Sequence, residues 1–431
     1  FLVGLPVPRP FSGSGSGTEN DPYVITNVQQ LQEMKYELDV YYVLGNDIDA
    51  SSTTSWYGGA GFEPVGTSDN PFTGSLDGRG YVIKNLYINR SDTNNVGLFG
   101  YAKPKIIKNL GLVDVNIIGY GNTGGLAGYV GGSSSSITVD NCYSTGSVTG
   151  YDAVGGLVGS LYRGGINHSY SSCFVTGYSC VGGLVGHAES SLISQSFSAG
   201  SVSGSLYTGG LVGKNYYYAH VSNCYSSGPV TGDRRVGGLV GFNFCAFISA
   251  SYSTGSVTGE INVGGLVGTN DGGTVFGGRV SNCYSTSSVS GSLRVGGLVG
   301  TNNGRTVSNC YSTGTVSGRY YVGGLVGFAW CGTIFNSFWD VETSGQRTSA
   351  GGTGKTTENM KDVRTYTDPD WSEGLDEPWD FVGDPYEDNE NGNVWDIDES
   401  KNRGYPFLVG LPVPRPFSGS GSGTENDPYV I

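Results

Sequence analysis

The sequence predicts an all-β parallel solenoid, a chain wound into stacked coils of about 27 residues. Three observations predict it. The phrase Val-Gly-Gly-Leu-Val-Gly stands intact at 154–159, 181–186, 236–241, 263–268, 295–300 and 322–327, with degenerate copies at 96–100, 123–128 and 208–213. Successive copies lie 27, 31, 27, 27, 28, 27, 32 and 27 residues apart, the signature of stacked supersecondary units. Aligned on that period, single residue types fill columns: Leu at 98, 126, 157, 184, 211, 239, 266, 298 and 325, and Tyr or Phe at 143, 170, 197, 225, 252, 284, 311 and 338. Composition agrees. Glycine is abundant at 75 of 431 residues but follows a period of about 27 rather than of three, which excludes a collagen-like chain.

The first 25 residues, Phe1 to Ile25, recur letter for letter as Phe407 to Ile431, an offset of 406. Such identity predicts a tandem array, with 1–25 serving as linker and first strand and 407–431 as the start of a following unit. The joint would pass through Leu411, Pro412, Pro414 and Pro416, a stiff extended stretch, into a Gly/Ser run beginning near Gly419.

Between these ends, 26–95 reads as an N-terminal cap with irregular first coils. Residues 26–34, Thr-Asn-Val-Gln-Gln-Leu-Gln-Glu-Met, form a capped helix by pattern, with apolar side chains at 28, 31 and 34. A helix there covers the open end of a stack that would otherwise expose unpaired backbone and core. A strand running into a polar turn follows at 41–49, then short alternating strands at 61–66, 72–78 and 81–88. Residues 96–340 are the regular solenoid, each coil reading Gly-Gly-Leu-Val-Gly, a variable turn, then a phrase such as Asn-Cys-Tyr-Ser-Thr-Gly-Ser-Val-Thr-Gly. Parallel strands about 4.8 Å apart would stack equal residues into ladders. The glycines suit corners with positive φ or close approach between coils. Turns at 131–136 and 271–278 carry extra residues and should bulge from one edge. After Phe338-Trp339-Asp340 the period stops, so 341–406 is read as a C-terminal cap: a short helix over 358–365, then three tryptophans, Trp371, Trp379 and Trp395, suited to cover the last coil.

The repeats together with Phe62-Glu63-Pro64-Val65-Gly66 before them and Phe338-Trp339-Asp340 and Gly351-Gly352-Thr353-Gly354-Lys355-Thr356 after them resemble the GLUG-motif proteins of bacterial and archaeal surfaces. The resemblance covers about 20–405. It implies a right-handed β-solenoid in a secreted, adhesin-like or matrix protein, and any peptidase of such a protein would occupy a separate domain.

The formal net charge of −14 and the lack of any Lys/Arg cluster argue against a nucleic-acid partner. No apolar run reaches the roughly 18–20 residues of a membrane-spanning helix. No leader precedes the repeats, so a signal peptide is expected outside these residues.

Candidate chemistry is thin. His168, His187 and His220 sit in variable or small-residue slots. Gly351–Thr356 ends like a phosphate loop, but Ser349 stands where the motif needs its first glycine. The acids of 96–340 share no column, which speaks against the paired carboxylates of a polysaccharide-degrading solenoid. Calcium is the one cofactor suggested: Glu387, Asn389, Asn391 and Asp398 fall at positions 1, 3, 5 and 12 of a loop with Gly392 at the sixth. The plain reading of the same stretch is a solvated acidic loop. Asn89 and Asn167 head glycosylation sequons. Cys224 with Cys245 and Cys310 with Cys331 share a spacing of 21, which suggests two disulfides. Serine in the first column of those pairs, at 169, 196, 251 and 337, suggests instead a column that wants a small side chain.

The functional expectation is a non-enzymatic structural unit of an extracellular filament or cell-surface stalk, whose partners are neighbouring copies joined head to tail. An adhesin is the alternative, binding glycans or another cell surface through the inserted turns or tyrosines such as Tyr216–Tyr218 and Tyr320–Tyr321. A degradative β-helix enzyme is a remote third.

Overall fold

A computed structural model describes residues 11–272, 278–382 and 394–413, the side chains of 133–135 excepted. From Tyr23–Ile25 to Thr333–Asp340 each strand pairs in parallel with its counterpart one coil on. Among the described residues thirty-four strands merge into one wrapped sheet, and eight more, from Gly121–Gly124 to Tyr320–Gly323, form a second along the phrase that defines the repeat. The result is a β-solenoid of about ten turns, roughly 50 Å long at ~4.8 Å per coil.

The columns read from the sequence are the core. All nine leucines from Leu98 to Leu325 are fully buried, as are Val154, Val181, Val236, Val263 and Val295. Because register is kept from coil to coil, each Leu meets the Leu above it and the interior is filled by repetition.

The glycines of the phrase are there for close approach. A Cβ on Gly155 would lie 2.0 Å from the Val158 carbonyl oxygen, and one on Gly156 would lie 2.3 Å from the Gly183 oxygen of the next coil. Neither has positive φ. The left-handed corners fall to other residues, at Asn109, Asn141, His168, Gln195, Asn223, Ala250, Asn282, Asn309 and Asn336, all with φ between 43° and 53°. Asparagine tolerates that region best after glycine, and this explains the Asn of the Asn-Cys-Tyr phrase.

At the N-terminal end the helix runs Val28–Glu33, with Asn27 as the cap accepting from the Gln30 N–H. The Gln30 side chain returns the bond by accepting from the Thr26 N–H at 2.7 Å, a reciprocal cap. Val28, Leu31 and Met34 are buried against the first coils.

At the other end the last coil is closed by Trp339 and 341–355. Trp339 takes the rung held by Ser312 one coil earlier and packs over Gly324. Residues Thr353–Lys355 add a last parallel strand. The stretch that resembles a phosphate loop is therefore this closing strand, with Lys355 over the Phe338 ring. The expected helix at 358–365 is two short helices, Thr357–Met360 and Arg364–Thr367.

Trp379 and Trp395 do not sit over the end of the stack. With Met360, Tyr366, Phe381, Tyr405 and Leu408 they form a second core against the side of the solenoid. Residues 407–408, read as the start of a following unit, pair antiparallel with Trp395–Asp396 and belong to this flank cap.

The disulfides expected from spacing are not formed: all eight cysteines carry free thiols. Cys224 and Cys310 occupy an inner column just after the left-handed Asn, where each thiol donates to the carbonyl two residues back, at 3.2 and 3.1 Å. Ser169, Ser196, Ser251 and Ser337 make the same bond in the same column. Cys245 and Cys331 are themselves left-handed corner residues. The column wants a small donor, and Cys and Ser both supply it.

Candidate functional site: the aromatic flank

The aromatic column runs up one outer face of the stack. Parallel register fixes the spacing of its rings. From Tyr143 through Tyr170, Phe197, Tyr225, Tyr252 and Tyr284 to Tyr311, adjacent centroids are 4.7–5.1 Å apart and their planes within 9°. Phe338 takes the eighth rung and meets Tyr366 in a T-shaped contact.

The flank cap covers the upper rungs only. Trp395 lies 6.1 Å from Tyr284 and 5.9 Å from Tyr311, and Trp379 lies 6.0 Å from Phe338. The tyrosine hydroxyls anchor the cap backbone: Tyr311 donates to the Pro406 carbonyl at 2.5 Å and Tyr252 to the Pro412 carbonyl at 2.6 Å. Asn402 donates to both the Tyr311 hydroxyl and the Pro406 carbonyl. Burial pushes the phenols of Tyr284, Tyr311 and Tyr366 well above their ordinary value. Two residues of the repeat's last coil also hold the cap. The buried Asp340 carboxylate accepts from the Glu342 and Thr343 N–H groups, the Thr357 hydroxyl and the Tyr405 hydroxyl. Asn336 binds Asp376 and Glu377 backbone through its amide, and its carbonyl accepts from Trp379 Nε1.

Below Tyr252 the ladder is open. Tyr143, Tyr170, Phe197 and Tyr225 are only half-buried, and the hydroxyls of the three tyrosines have no partner among the described residues. A groove of about 940 Å³ lies where the cap meets the coils, between Thr254, Thr286 and Thr313 on one wall and Tyr405, Arg403 and Lys361 on the other.

A second ladder, hidden from the sequence reading, lies inside. Asn215, Asn243, Asn270 and Asn302 are fully buried, each amide donating to the next amide oxygen at 2.8–2.9 Å. The top rung ends the chain of bonds on the Arg305 carbonyl. Each Asn stands two residues past the phrase's last glycine, and that periodicity was the available signal.

The remaining predicted site residues are scattered. Glu387, Asn389 and Asn391 of the calcium loop lie outside the described residues. Asp398, its twelfth position, accepts from the Ser400 N–H and hydroxyl and lies 3.4 Å from Lys401 Nζ. No cluster of metal-ligating side chains occurs among the described residues. Asn89 is exposed at the end of a strand. The Asn167 side chain instead bridges coils, donating to Asp140 and accepting from Ser194. Burial beside Lys214 lowers the His187 imidazole to about 4, so it is neutral at pH 7. Leu411 and Pro412 end the flank cap, whereas Pro414, Pro416 and Gly419 lie outside the described residues. Most of the 271–278 turn does too.

Comparison with known proteins places these coils. The GLUG motif matches residues 177–203, 204–231, 259–290 and 291–317. These are GLUG repeats. Across 152 residues, 34% of this chain, the sequence is 41% identical to halomucin of Haloquadratum walsbyi. Across 105 residues it is 37% identical to a protein of Evansella cellulosilytica named "Putative Gly-rich membrane protein". The matches span 2% and 12% of those relatives, so this chain corresponds to a small part of each. A crystal structure from Bacteroides ovatus, described as a "putative immunoglobulin A1 protease", aligns over 92% of this chain and 94% of its own, at 19% identity and a TM-score of 0.38, a likeness too loose to carry an argument. Among the described residues no helix is long and apolar enough to cross a membrane.

Proposed function

We propose that this chain is a structural unit of a secreted or cell-surface protein, repeated in tandem to build a stalk or filament. The observation that supports this best is the duplicated 25-residue text, whose opening words, as 407–413, close the flank cap and whose later words, as 11–25, open the first coils. The solenoid supplies stiffness. Backbone ladders run through every coil, and the Asn and aromatic ladders tie neighbouring coils on an inner and an outer face. On this reading the chain works mechanically and catalyses nothing. The similarity to halomucin and to a protein named for the membrane supports a surface location. Electron microscopy of the native assembly tests the reading: long rods or fibres are expected, and isolated particles of one unit would sink it.

An adhesive role is the second reading, favoured by the groove beside the flank cap, with its threonine wall and the cations Lys361 and Arg403. Such a surface suits a hydroxylated or acidic glycan. Glycan-array binding that is lost in Arg403→Ala would support it, and binding that survives that change would remove the groove from consideration.

A further inference from the structure

We propose that successive units lie side by side in a stagger, each beginning against the open half of the preceding unit's aromatic ladder, instead of stacking end on end. The proposal rests on the tandem reading above and adds its geometry.

The duplicated text divides between two structural jobs. Its first seven residues, seen as 407–413, complete the flank cap: Phe407 and Leu408 pair with Trp395–Asp396, and Pro412 is held by the Tyr252 hydroxyl. Its later part, seen as 11–25, builds the N-terminal end. There Phe11 packs on Tyr23 and Tyr42 at 4.6 and 5.6 Å, Ser12 donates to the Glu33 carboxylate, and the Val24 N–H donates to the Ser14 carbonyl. Between these two parts of the text lie three residues outside the described ones, Pro8-Arg9-Pro10, the same as Pro414-Arg415-Pro416. Val413 and Phe417 are thus separated by three residues, and four backbone steps span at most about 14 Å.

That tether starts in the wrong place for end-on stacking. Pro412 is fixed at the level of Tyr252. Above it come the rungs of Tyr284, Tyr311 and Phe338, then the closing strand Thr353–Lys355. A unit stacked on the end would begin at the fifth level, roughly 24 Å higher at ~4.8 Å per strand. The tether cannot reach it while the cap stays docked.

What lies within reach is the side of the stack, where Val413 lines the groove next to Tyr225. Below it the ladder continues uncovered through Phe197, Tyr170 and Tyr143. The covered rungs show what this face accepts: apolar cap side chains, and proline carbonyls bound by tyrosine hydroxyls. The open rungs offer the same rings and the same donors, continuous with the interface already made. The occupant is the N-terminal end of the next copy.

The test is a two-unit protein in which residue 431 runs on into a second 26–431, imaged by cryo-electron microscopy. Two solenoids side by side and offset, with the second unit's first coils near Tyr170, are expected. A coaxial rod of twice the unit length, or two units at random angles, would overturn the proposal. In the same protein Tyr170→Lys is expected to free the second unit from its fixed angle, while the one-unit chain carrying it melts within a few degrees of the parent. A fixed angle unchanged by Tyr170→Lys would remove the ladder from the joint. These outcomes are separate from the tandem reading itself, which native chain length decides.

Discussion

The two halves of the aromatic column have one sequence phrase and one local geometry, and differ only in what lies outside them. Tyr143–Tyr170 stack at 4.8 Å and Tyr284–Tyr311 at 5.0 Å, nearly parallel in both cases. Yet the lower rings are half-exposed and the upper ones buried, because 360–382 and 394–412 fold back along the upper coils. Stacking is thus set by the repeat, while burial, hydrogen bonding and ionisation are set by a segment with no repeat at all. A tyrosine in this column is a spare rung until something covers it.

The largest effect should come from releasing the cover. Asp340→Ala leaves four donors without their acceptor, and with net values near 1 kcal/mol per bond the loss should be on the order of 3–4 kcal/mol. Denaturation followed by tryptophan fluorescence should show the cap detaching before the coils unfold. A single unchanged transition would mean that the cap is not held by this carboxylate.

A sharper comparison sets equal changes in the two halves side by side. Tyr311→Phe removes a hydroxyl bound to Pro406 and Asn402 and should cost about 1–3 kcal/mol, since both partners are buried. Tyr170→Phe should stay within about 0.5 kcal/mol. Equal costs, read from urea midpoints, would erase the distinction between the halves.

Alkali should also discriminate. The phenols of Tyr284, Tyr311 and Tyr366 are raised above 10 by burial, so the folded state holds their protons after the unfolded chain has released them. Their contribution is fully present below pH 10 and falls as pH rises beyond it, by about 1.4 kcal/mol per pH unit for each. Absorbance at 295 nm should show these tyrosines ionising only as the cap unfolds. Smooth ionisation of all tyrosines with the cap intact would contradict their burial.

The smallest difference between the two halves belongs to the inner column. Cys224 sits beside an open rung and Cys310 beside a covered one, yet both are fully buried and make the same bond. Cys224→Ser and Cys310→Ser should each cost less than about 1 kcal/mol, and by similar amounts. Unequal costs would show that the cap reaches through to the core. Reductant should leave the melting temperature unchanged, since no disulfide is present.

How much of this was legible follows from what repeats. Leu98 to Leu325 declared the core, and Tyr143 to Phe338 the ladder, because parallel register turns a column of letters into a column of contacts. The Asn ladder is equally periodic at 215, 243, 270 and 302, but asparagine in a glycine-rich chain reads as turn. The glycines suggested positive φ or close approach, and only backbone distances separate the two: Gly156 is pressed against Gly183, and Asn141 turns the corner. The position of the flank cap had no signal to read. Trp379 and Trp395 announce burial, but nothing in an aperiodic stretch says which face of a stack they bury.

The central claim, that this solenoid is one link of a covalent series, is tested most directly by the intact mass of the native polypeptide. A mass of several 406-residue units is predicted from the offset between Phe1 and Phe407; a polypeptide holding a single copy of the repeat block would contradict it.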